Sequence, residues 1–109
     1  MPDLIKLTED NFEQEVLQSE LPVIIDVWGP RCIPCIRLDP LVEQMSEQYA
    51  GSVKITKIIA PEARKLCAQL KVMGLPTFLL YRDGAEVERR TGDDLGEADV
   101  KEMVSSAAG

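Results

Sequence analysis

The chain has no histidine, few aromatic residues and no excess of basic ones, and each shortage narrows what it can do. Lys and Arg number 12 against 19 Asp and Glu, and the resulting charge of -7 argues against nucleic acid or an anionic membrane as a standing partner. The basic residues are also scattered, so the clustered footprint of a nucleic-acid binder is missing. No run approaches the ~20 apolar residues that span a bilayer. The opening Met1-Pro2-Asp3-Leu4-Ile5-Lys6 lacks the basic region and long apolar stretch of a signal peptide. The expectation is a soluble protein of the cytoplasm. Cysteine is scarce too. Three cysteines in that compartment make a poor disulfide framework, which moves catalytic and metal-binding roles forward. Zinc normally takes four ligands, yet any cysteine pair here leaves one further cysteine and no histidine, so carboxylates would have to complete a site.

What is present suffices for one domain over residues 1–109. With 45% of the residues apolar, a core forms without metal or disulfide staples. Patterning alternates between period two and period 3.6, with no linker or repeat. Leu4–Leu7 reads as a short strand. Thr8 caps a helix with Glu9 and Asp10 in its first turn and Phe12, Val16 and Leu17 facing inward. Leu21–Trp28, with Val23-Ile24-Ile25 inside it, reads as a strand buried on both faces. Leu38, Leu41, Val42, Met45 and Tyr49 recur at helical spacing, and Pro40 within them predicts a bent helix over residues 33–49. Val53–Ile59 is the next strand. Pro61 suits the first turn of a helix with Ala63, Leu66, Cys67 and Leu70 on one stripe. Thr77–Arg82 and Glu86–Thr91 flank Asp83-Gly84, a hairpin signal. Val100, Met103, Val104 and Ala107 mark a last amphipathic helix. Strands separated by helices imply parallel crossovers, and the hairpin adds antiparallel pairing. The expected architecture is α/β, a central mixed five-stranded sheet flanked by four helices.

Cys32-Ile33-Pro34-Cys35 falls where a buried strand gives way to a helix. Two sulfurs three residues apart at a helix start close a small disulfide ring with little backbone motion. The first sulfur lies near free N–H groups and the positive end of the helix dipole, which lowers its pKa below the free value of about 8.5. The thiolate is the attacking species in disulfide exchange, and Cys35 is placed to attack the mixed disulfide that results. The surrounding Gly29, Pro30, Arg31 and Pro34 read as surface, against a pair of inert core thiols. Asp26 stands inside Val23-Ile24-Ile25-Asp26-Val27. If ionised and unpaired there, it faces several kcal/mol of desolvation, so its pKa rises, which suits a proton relay for Cys35. The alternative is a strand-end aspartate reaching water. Cys67 reads as a small core hydrophobe rather than a regulatory thiol.

The stretch from Asp26 through Trp28-Gly29-Pro30-Arg31-Cys32-Ile33-Pro34-Cys35 to Pro40 resembles the active-site segment of thioredoxins. Gly74-Leu75-Pro76-Thr77 with Asp83-Gly84 is similar to the family's second signature, and the likeness runs from Leu7-Thr8 to the last helix. It implies the thioredoxin fold, with Cys32 an exposed nucleophile and Cys35 a buried resolving cysteine. Pro76 would be the family's cis-proline facing the disulfide, and Lys57 the lysine that modulates Asp26. Trp28, Gly74, Leu75 and Gly92 would form a flat apolar rim for partner backbones, with Arg31, Ile33 and Pro34 beside it. The family's chemistry needs no cofactor beyond the redox-active Cys32–Cys35 pair. It further implies disulfide-containing protein substrates, a flavoprotein thioredoxin reductase as electron donor, and a monomer.

The chain departs from the pattern beside the chemistry. Arg31 stands where the family usually has tryptophan, Ile33 where it has glycine, and Ile36 where a basic residue often follows. Ala60-Pro61 replaces an acidic residue after the third strand. Arg31 puts a donor fork suited to carboxylates where a flat apolar surface is usual. The leading expectation is a protein-disulfide reductase. The alternatives are a thiol oxidant or isomerase, and a binding module with incidental cysteines.

Overall fold

The structure, a computed structural model, describes residues 4–109. Met1, Pro2 and Asp3, where the expected domain and the reading of the N-terminus begin, lie outside the described residues. Five strands form one sheet in the order β1-β3-β2-β4-β5. They are β1 (Ile5–Lys6), β2 (Val23–Trp28), β3 (Lys54–Ile59), β4 (Thr77–Arg82) and β5 (Ala85–Thr91). β1 and β2 run parallel to β3, while β4 is antiparallel to both β2 and β5. The helices are a π-type segment (Glu13–Leu17), α1 (Ile33–Gln48), α2 (Arg64–Gln69) and α3 (Glu97–Ala108), with a 3-10 turn at Ala60–Glu62.

β2, apolar at every position but Asp26, occupies the centre of the sheet. Alternation sends Ile24 to one face, where it packs with Leu38, Leu41 and Val42 of α1 and Val100, Met103 and Val104 of α3. Val23, Ile25 and Val27 face the other way, onto Leu7, Val16, Ala63 and Leu66. α1 continues through Pro40. Asp83 and Gly84 both take positive φ, the backbone that a two-residue hairpin turn demands.

The expectations for two helical segments need correction. Leu17 does not face inward; it is 40% exposed, while Val16 beside it is buried. The segment is only five residues long, with Gln18 N–H donating to the Glu13 carbonyl, and it meets the sheet along the one edge that Phe12 and Val16 fill. Nor does Thr8 cap it: the N-cap is Phe12, the first-turn acids are Glu13 and Glu15 rather than Glu9 and Asp10, and the Thr8 hydroxyl accepts from Asp10 N–H at 3.2 Å in the turn before. The second correction concerns α2, which is not a parallel crossover. At ~1.5 Å per residue, its six residues span about 9 Å, whereas a six-residue strand covers ~20 Å. The chain therefore re-enters the sheet at the end it left, and β4 runs antiparallel to β2.

That reversal assembles the site. Trp28 pairs with Ile59, Val27 with Thr77, and Thr77 with Thr91, all at one end of the sheet. The segments after β2, β3 and β5 and the one before β4 thus converge there.

Candidate active site

Cys32 is the N-cap residue of α1, and Pro34 sits in the first turn, where its missing N–H costs nothing. The extended backbone at Cys32 turns its side chain back over the helix end, where Sγ accepts from Cys35 N–H at 3.2 Å. After reduction the same N–H stands ready to hold a thiolate. The two cysteines are joined as a disulfide, with Cα atoms 5.2 Å apart. Cys35 is buried and Cys32 half-buried, so only the first sulfur has an open side.

The loop before β4 packs against this turn. A methyl built on Gly29 would lie 3.3 Å from Leu75 Cδ1, so glycine admits Leu75 to the approach beside Cys32. The Leu75–Pro76 bond is cis and Pro76 is buried. Gly29, Pro30, Arg31, Cys32 and Leu75 share a groove with Pro61 and Arg64. Gly74 and Gly92 border a neighbouring hollow with Met73, Thr77 and Thr91. Gly92 has φ +128, which L side chains rarely adopt, and its N–H donates to the Pro76 carbonyl at 3.1 Å.

The anticipated rim is therefore divided. Leu75 and Arg31 meet at the Cys32 groove, and Gly74 and Gly92 meet at the adjacent hollow. Trp28 lines neither; it is half-buried, with Lys57 Nζ 5.9 Å from its ring centroid and Nε1 buried without a partner among the described residues. Ile33, 61% exposed, and half-buried Pro34 stand on the head of α1, outside both hollows.

Asp26 is 3% exposed, and its Oδ1 has no hydrogen-bond partner among the described residues. It does not reach water as a strand-end residue would. Alternation puts it on the Ile24 face of β2, the face α1 covers. Burial first, and then the Asp39 carboxylate on α1, push its pKa up to about 7, while Lys57, its register partner on β3, pulls the other way. Sequence reasoning missed Asp39, although it lies four residues beyond Cys35, one helical turn along the same face. Arg64, Pro61 and Met73 were missed as site residues because only the tertiary fold brings them there.

Cys67 is half-buried against the second core cluster, and burial followed by Glu9 pushes its thiol up. A bulky thiol reagent added to the oxidised protein should label Cys67 far more slowly than a free cysteine. Rapid labelling would place it at the surface. Among the described residues, no helix is long and apolar enough to cross a membrane, and no group of three Cys, Asp or Glu side chains stands ready for a metal.

Comparison with known proteins agrees with this geometry. Residues 3–106 match the family model described as Thioredoxin. A thioredoxin of Acetoanaerobium sticklandii is 39% identical over 101 residues, covering 93% of this chain and 96% of that protein. One from Peptoclostridium acidaminophilum is 36% identical over 106 residues, covering 97% and 96%. Thioredoxin 1 of a Nostoc species is 33% identical over 87 residues, covering 80% and 81%. The chain belongs to the thioredoxin family, whose members are thiol–disulfide oxidoreductases.

Proposed function

We propose that the protein reduces protein disulfides, with Cys32 as nucleophile and Cys35 as resolving thiol. The observation that carries this is the asymmetry of the pair: one sulfur is open to the groove at a helix N-terminus, and the other is buried beneath it. The Cys32 thiolate attacks the substrate S–S bond, forming a mixed disulfide and releasing one substrate thiolate. Cys35, losing its proton, attacks Cys32 Sγ. The Cys32–Cys35 bond forms, the second substrate thiolate leaves, and two electrons have passed to the substrate. Asp26 takes the Cys35 proton, since its raised pKa lets it cycle near neutral pH. Lys57 restrains that rise. Substrate lies over Arg31, Ile33, Pro34, Leu75 and Pro76, with Trp28, Gly74 and Gly92 around them. The protein acts as a cytoplasmic monomer of one domain, uses no cofactor beyond its disulfide, and regains its electrons from a flavoprotein thioredoxin reductase.

Equilibration with glutathione buffers tests the direction of electron flow. A reductant has its midpoint near −270 mV, well below an oxidant's roughly −180 to −120 mV. A midpoint in the higher range would favour the oxidant or isomerase reading.

A further inference from the structure

Resting on that reading, we propose that the groove beside Cys32 holds a carboxylate of the protein substrate, gripped between Arg31 on one wall and Arg64 on the other. Arg31 arrives from the segment after β2 and Arg64 from the start of α2, yet both border the same groove of about 680 Å³. Both are exposed, and neither forms an ion pair with any described residue. By contrast, Arg89 is paired with Glu86, and Arg90 with Glu88, Asp99 and Glu102. In a chain of net charge -7, two unneutralised guanidiniums border the groove beside the nucleophile.

Arg64 is the first residue of α2, the end at which a cation opposes the helix dipole; the acidic group at that end is Glu9, whose Oε2 accepts from Leu66 N–H at 3.1 Å. The remaining lining is Gly29, Pro30, Pro61 and Leu75 beside Cys32. A guanidinium fork matches a carboxylate in two parallel hydrogen bonds, and two forks bordering one groove select for negative charge more strongly than one. At ~3.3 Å per extended residue, a substrate side chain within two positions of the attacked cysteine lies ~7 Å from the sulfur, within the groove's span. The preferred substrate is therefore a protein disulfide with Asp or Glu within two residues of the cysteine that Cys32 attacks.

The test uses the full chain and matched peptide disulfides with Glu, Gln or Lys beside one cysteine. The readout is the ratio of second-order reduction rates. Wild type should reduce the Glu peptide roughly 5- to 20-fold faster than the Gln peptide. Arg64→Gln should cut that ratio by ~2- to 5-fold, the double variant R31Q/R64Q should bring it to unity, and R31Q/R64E should favour the Lys peptide. Equal wild-type rates for Glu and Gln peptides, or a preference that survives the double substitution, would overturn the clamp. So would an equal preference for dithiodipropionate over its diamide, since that would assign the groove to small anions. Reduction of the Gln peptide reports on the underlying reading. Its absence with every peptide overturns both claims, whereas equal rates overturn the clamp alone.

Discussion

Cys32→Ser lowers the rate of protein-disulfide reduction by at least ~10³-fold, to the uncatalysed background. A serine hydroxyl does not ionise near neutral pH and forms no bond that a second thiol can resolve. Nothing nearby substitutes for it. Cys35 is buried, and Cys67 is packed beside the core on the other face of the sheet with its thiol pushed up rather than activated. The fold survives the change, because the core clusters on both faces are built without Cys32. Unfolding midpoints for the variant and for the reduced wild type should therefore coincide. Retained activity in Cys32→Ser would remove the nucleophile from the mechanism.

Asp26→Asn changes stability most where the pH is highest. In the folded state burial raises the Asp26 pKa to about 7, and in the unfolded chain it returns to ~3.9. Between those values the folded protein holds a proton that the unfolded chain has released. Stability from this group is thus complete below pH ~4 and is lost as pH rises towards 7, by roughly 4 kcal/mol in all. Asparagine has no charge to desolvate. The difference in unfolding free energy between variant and wild type should therefore grow by roughly 4 kcal/mol from pH 4 to pH 8. A difference that stays flat across that range would mean Asp26 is solvated or paired. The same substitution should slow resolution of the mixed disulfide by ~10- to 100-fold near neutral pH, because Cys35 loses its proton acceptor. Initial attack by Cys32 is much less affected. Single-turnover kinetics separate the two steps.

Much of this was legible in the residues. Thr77–Arg82 forms a strand with the limits its pattern indicates, and the apolar run ending at Trp28 lies at the sheet centre. Both signals are local: an apolar block broken only by Asp26, and a turn dipeptide that tolerates positive φ. Asp26 was legible for the same reason, since a charge inside a β-branched block has nowhere to go but inward. The direction of β4 was not. It depends on how far a six-residue helix carries the chain, and the stripe of Ala63, Leu66, Cys67 and Leu70 suggested a longer one. Leu17 was misplaced because its apolar character records nothing of the narrow edge on which its segment docks. Arg64 carries no local mark at all. It becomes a neighbour of Cys32 only because the 3-10 turn and α2 stay at the end of the sheet where β2 and β3 finish.

The central claim is that substrate first bonds to Cys32 and that Cys35 releases it. Cys35→Ser separates these events. Reduced Cys35→Ser protein, mixed with a protein disulfide and quenched with acid, should carry one covalently bound substrate. Peptide mapping should place the mixed disulfide on Cys32 alone, and a dithiol reductant should release it. No adduct, or an adduct on Cys67, would contradict the account.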